Sequence, residues 1–111
     1  MKVYLCGQMR GLPDLGHAAF RDGARRLRED GHEVFSPAEH DVANGLVPGG
    51  AAGFDLRRAL AADLAWICAH ADAVVMLPGW ERSLGATAEV ATARALSLPV
   101  LALDKLTGGE L

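Results

Sequence analysis

The sequence predicts one α/β domain over residues 1–111, a three-layer sandwich whose mainly parallel sheet of four to five strands, in the order 2-1-3-4, lies between helices. Three observations predict it. Short apolar runs of strand length alternate with segments of helical periodicity, the pattern of repeated strand-helix-strand units with right-handed crossovers. Ala73-Val74-Val75-Met76-Leu77 is apolar throughout, as a parallel strand covered on both faces must be. Glycine-bearing turns follow the first and third apolar runs, where a doubly wound sheet opens its crevice.

Taken in order, Val3 to Cys6 reads as a buried strand stopped by Gly7, with Gly11 and Pro13 punctuating the turn behind it. Asp14 offers an N-cap, and a helix is expected over Leu15 to Asp30, with Phe20, Ala24 and Leu27 on one face and Gly31 ending it. His32 to Phe35 is a second, weaker strand. Pro37 to Gly53, with Asn44-Gly45 and Gly49-Gly50, shows little periodicity and is expected to be an irregular loop. Leu56, Leu60, Leu64 and Ile67 restore helical spacing before the strand at Ala73, which Pro78-Gly79 stops. A third helix runs from Gly85 to Leu96, Pro99 breaks it, and Val100 to Leu103 forms a fourth strand with a polar tail, Asp104 to Leu111, after it.

Composition narrows the function classes. Half of the residues are hydrophobic and 23% are charged, which excludes a disordered chain. A formal net charge of −3 supplies no basic field for a nucleic-acid polymer, so any anion must be captured locally. Cys6 and Cys68 match no zinc or CxxC spacing and are expected to be two buried, reduced thiols. With no apolar run near the roughly 18 residues of a membrane span, a cytoplasmic protein without a membrane partner is expected.

In an open parallel sheet, ligands bind outside the carboxyl ends of the strands where strand order reverses, here between the first and third strands. Gly7 to Gly11 and Gly79 to Gly85 meet there. Ser83 and Gly85 open the third helix, whose free N–H groups and dipole favour a phosphate, and Arg10 adds a charge; Ser83 also serves as an ordinary N-cap. Two carboxylates stand where helices should be apolar. Asp63 lies between Leu60 and Ile67, and Glu89 between Ala86 and Ala93, on the faces that pack toward the sheet. An unpaired buried carboxylate is costly, so such residues are partnered, protonated or functional. A pair of acids suits glycosidic cleavage, one meeting the oxocarbenium-like carbon and the other assisting the leaving group. Glu39, His40 and Asp41 are adjacent loop residues without further ligands, so no metal and no cofactor are expected.

Tyr4-Leu5-Cys6-Gly7-Gln8-Met9-Arg10-Gly11, Ala62-Asp63-Leu64 before Ala71-Asp72-Ala73-Val74-Val75, and Ser83-Leu84-Gly85 through Glu89 resemble the nucleoside 2-deoxyribosyltransferase superfamily, over nearly the whole chain. The likeness is greatest to the branch with the 2′-deoxynucleoside 5′-phosphate N-hydrolases and phage and bacterial relatives. It implies a flavodoxin- or Rossmann-like sandwich, a small-molecule nucleotide or nucleoside as substrate, and a homodimer or larger homo-oligomer. It implies further that Glu89 is the nucleophile toward the anomeric carbon and that Asp63 orients it or protonates the departing base. Ser83 and Gly85 would match the 5′-phosphate turn, and Gly7, Gln8, Arg10 and Gly11 the loop lining sugar and phosphate. Trp80 offers a ring to stack on a base or, equally, to pack at a subunit interface. A nucleotide-binding or sensing module without turnover is the alternative, whereas a flavodoxin-like signalling domain would need acids where this chain has Gln8-Met9-Arg10.

Overall fold

The computed structural model describes residues 1–44 and 55–106. Among them a four-stranded, all-parallel sheet is ordered β2-β1-β3-β4, with β1 Lys2–Cys6, β2 Glu33–Phe35, β3 Ala73–Met76 and β4 Val100–Ala102. The helices are α1 His17–Glu29, α2 Pro37–Ala43, α3 Leu56–His70, α4 Leu84–Ala95 and the short α5 Leu103–Leu106, with a 3₁₀ turn at Trp80–Arg82. The expected sandwich and strand order are present.

Strand alternation divides the core into two layers. Val3 and Leu5 of β1, with Val75 beside them, pack against Phe20, Ala24 and Leu27 of α1. Tyr4 and Cys6 point the other way, with Val74, onto Ile67 of α3 and Ala86, Val90 and Ala93 of α4. The register Val3↔Ala73 to Cys6↔Met76 brings β1 and β3 to a common end, so the chains leaving them part at one place. Small alanines on the inner face of α4 let that helix lie close to the sheet.

Several boundaries differ from the expectation. α1 begins at His17 instead of Leu15, because Leu15 (φ 57°) and Gly16 (φ 75°) are both left-handed and cannot continue a helix. Asp14 still caps it from upstream, its carboxylate accepting from the Gly16 and Ala18 amides at 2.9 and 3.0 Å. The expected loop from Pro37 is α2 over its first seven residues, since Ser36 sits extended at the N-cap and Pro37, at the first helical position, is preset for the turn. Residues 45–53 of that expected loop lie outside the described residues, as does the tail from 107 onward. Leu103 leaves the sheet to start α5 and fold onto the α1 layer, so β4 ends at Ala102. Cys6 is buried but Cys68 is exposed, because it follows Ile67 around the helix onto the solvent side. No described helix is long and apolar enough to cross a membrane.

Candidate active site

β1 and β3 hold their last hydrogen bond between the Leu77 amide and the Cys6 carbonyl, 2.8 Å, and then diverge. Gly7 lets the two chains stay close at the fork, since a Cβ there would lie 2.9 Å from Leu77 Cδ1 and 3.0 Å from its Cβ and push that side chain aside. Beyond it a cleft of about 370 Å³ opens, within the range of small-molecule pockets. Gly7, Arg10 and Gly11 form one wall and Arg82, Ser83 and Gly85 another, while α2 and α3 close the far side with Asp41 and Asp63. Glu89 also lines it, from α4.

The start of α4 is formed as its sequence suggests. Ser83 is the N-cap, its Oγ accepting from the Ala86 amide at 3.1 Å, and the other first-turn amides have no intrahelical acceptor. Arg82 and Arg10 face the same cleft, and among the described residues neither is in an ion pair. The entrance is thus positive, with a helix N-terminus between two guanidinium groups, while the floor is acidic.

Asp63 and Glu89 are buried, 6% and 5% exposed, on facing helices. Burial raises both carboxyl groups, Asp63 to about 7 and Glu89 to about 8. They also act on each other. Contact with Glu89 lowers Asp63, whereas the charge of Asp63 raises Glu89, so the pair retains one proton well above the usual carboxylate range. Tyr4, fully buried on β1, lowers both acids, and its own phenol is held protonated by burial and by Glu89. Yet neither Tyr4 Oη nor Asp63 Oδ1 closes a hydrogen bond with a protein partner of good geometry. Cys6, on the same face of β1, is likewise kept as a neutral thiol by burial and by Glu89.

Most of the residues expected from sequence meet here: Gly7, Arg10, Gly11, Asp63, Ser83, Gly85 and Glu89 all line the cleft. Gln8 and Trp80 do not. The Gln8 side chain turns back to donate to the Arg10 carbonyl, 3.3 Å away, and Trp80 packs on the hydrophobic layer around Tyr4 and Val74. The expectation that Glu39, His40 and Asp41 form a solvated loop is corrected. On α2 the three diverge, Glu39 to Arg28, the His40 ring onto Phe35 at 5.2 Å between centroids, and Asp41 into the cleft, 3% exposed. Among the described residues, no group of three acids, histidines or cysteines is placed to hold a metal ion.

Tyr4 and Asp41 were the residues that sequence reasoning missed. Tyr4 carried a signal, being the one hydroxyl in an otherwise apolar strand, two residues from the turn. Asp41 carried another in Ser36-Pro37-Ala38-Glu39, a helix-start pattern that puts Asp41 one turn after Pro37 on the same face.

No curated protein matches the chain. A family model described as "Domain of unknown function (DUF4406)" matches residues 1–102, the whole of the sheet and the cleft. The chain therefore belongs to the DUF4406 family, and the paired acids at the β1–β3 fork lie within the region that defines membership.

Proposed function

We propose that this protein cleaves the N-glycosidic bond of a (deoxy)nucleoside 5′-monophosphate or nucleoside, by hydrolysis or by transfer of the sugar to another base. One observation carries the reading: Asp63 and Glu89 are buried together in a nucleotide-sized cleft whose mouth is the positive start of α4. The resemblance to nucleoside 2-deoxyribosyltransferases, noted above in the three segments bearing these residues, supplies the substrate class.

A 5′-phosphate fits the amides at Gly85 between Arg10 and Arg82. With the phosphate there, the sugar extends inward toward Glu89, one turn along the same helix. The reactive form is the one in which the single proton of the pair has passed from Glu89 to Asp63. Glu89, as carboxylate, attacks the anomeric carbon as the bond to the base breaks, and Asp63 delivers that proton to the departing nitrogen. Water then attacks the sugar-enzyme ester. Its proton passes to Asp63, its oxygen stays on the sugar, and Glu89 leaves as carboxylate, so both acids return to their starting state. In transfer, a second base replaces the water. The Tyr4 hydroxyl, lacking another partner, serves as a donor to the acid that carries charge.

A homo-oligomer belongs to the same reading. Leu84, 83% exposed, is apolar surface at the mouth that a neighbouring copy would cover.

The test is incubation with a panel of deoxynucleotides, ribonucleotides and nucleosides, following free base by chromatography. Release by the wild type and its loss in Glu89→Gln support the proposal. Nucleotide binding by calorimetry without release would instead indicate a binding or sensing module.

A further inference from the structure

Asp41 is the third acid of the cleft and the mechanism above does not use it. It comes from α2, and its Oδ1 is buried with no hydrogen-bond partner among the described residues. The groups that line this end around Asp63 are the apolar Pro37, Leu56, Ala59 and Leu60; burial raises the Asp41 carboxyl, and the charges of His40 and His17 offset that only in part. A buried acceptor left without a donor costs about 1–3 kcal/mol. It also adds charge beside two acids already hard to ionise, so retaining it makes sense if a donor arrives with the ligand. Position indicates which part of the ligand that is. The helix of Asp41, α2, packs on α3, which carries Asp63, whereas Glu89 comes from α4, so Asp41 stands on the Asp63 side of the pair, where the base lies when phosphate occupies the start of α4.

We propose that Asp41 is a specificity-determining residue that accepts a hydrogen bond from the exocyclic amino group of the nucleobase, so that the cleft selects amino-bearing bases over their oxo counterparts. The inference rests on the nucleotide reading and names its substrate class. A carboxylate accepts and cannot donate, which rewards an amino group and repels a carbonyl oxygen at the same place. Aspartate or glutamate accepting from a base amino group is worth about 1–3 kcal/mol of discrimination in nucleic-acid recognition.

The experiment compares matched pairs differing at that one group: deoxyadenosine with deoxyinosine monophosphate, and deoxycytidine with deoxyuridine monophosphate. For the wild type, kcat/KM should favour the amino member of at least one pair by about tenfold or more. Asp41→Asn, close in shape and able to donate, should bring that ratio to near one or invert it, and Asp41→Ala should abolish it while the oxo member is still cleaved. Thermal unfolding confirms that each variant is folded, and a second readout, calorimetric affinity for the same four nucleotides, reports selectivity without turnover. Base release with a ratio of one in both pairs, or a ratio unchanged in Asp41→Asn, overturns the role of Asp41 and leaves the glycosidase reading standing. Absence of base release overturns the glycosidase reading; in that case an amino preference in affinity that Asp41→Asn removes still supports Asp41, and equal affinities overturn it.

Discussion

Arg28 of α1 grips Glu39 of α2 through two charge-assisted hydrogen bonds, Nη1 to Oε2 at 2.8 Å and Nη2 to Oε1 at 2.7 Å, and the same Nη2 donates to the Val34 carbonyl at 3.1 Å. One guanidinium thereby ties the end of β2 and the start of α2 to α1. With Glu39 held outward, Asp41, two residues on and roughly 200° around the helix, is presented to the cleft. The pair is half-exposed, so Glu39→Ala should cost only about 0.5–1 kcal/mol in urea unfolding. Arg28 depresses the Glu39 carboxyl, so this contribution is present above the usual glutamate range and fades as pH falls through it. A loss that persists unchanged at pH 3 would show that the contact acts by packing instead.

The buried Tyr4 hydroxyl closes no hydrogen bond of good geometry in the protein, although it lies near enough to Asp63 and Glu89 to lower both, so its net contribution to stability is small. Tyr4→Phe should therefore unfold at the same temperature as the wild type or slightly higher. Base release should fall on the order of tenfold or more, the worth of one hydrogen bond to a charged group. Lower stability with unchanged turnover would make the hydroxyl a structural group.

The Asp63–Glu89 pair sets the pH dependence. Below the lower of its two titrations both acids are protonated and no nucleophile exists, and above the higher one no proton remains for the base. A bell-shaped kcat/KM with its optimum between about 7 and 8 follows. Asp63→Asn removes the proton donor, so base release should fall and the alkaline limb should vanish, leaving a single acid limb set by Glu89. Stability runs with the same sign. Both carboxyl groups are raised on folding, so the native state holds more protons than the unfolded chain, and stability should fall as pH rises from about 4 until it levels off above about 8. Glu89→Gln should unfold at a higher temperature than the wild type at pH 8, with little difference at pH 4.

How far the sequence could be read depended on where each signal resides. The apolar run at Ala73 and the periodic helices carry their own burial pattern, so the layers and strand order were legible. Asp63 and Glu89 were legible for the same reason, because a charge in an apolar stripe is a visible anomaly. Asp41 was harder to read, since seven residues of α2 are too few to establish a period and the helix-start pattern at Ser36-Pro37 says where the helix begins but not which face is buried. Gln8 and Trp80 sit in the expected turns, but a turn fixes backbone position and leaves side-chain direction to tertiary contacts.

Gly16 supports the site from behind. It is left-handed, and a Cβ there would collide with the Gln8 carbonyl in the loop that forms one wall of the cleft. Gly16→Ala should cost about 1–3 kcal/mol by strain and displacement of that loop. Wild-type stability in this variant would show that the turn can relax freely.

The covalent intermediate is the most direct test of the two-acid account. The protein is mixed with a 2′-fluorinated arabino-nucleotide, whose electron-withdrawing fluorine slows turnover of the sugar ester, and is then weighed intact and as peptides by mass spectrometry. The account predicts a mass gain equal to one fluorinated sugar phosphate, located on Glu89 and absent from Glu89→Gln. A label on Asp63, or rapid base release from natural nucleotides by Glu89→Gln, would contradict it.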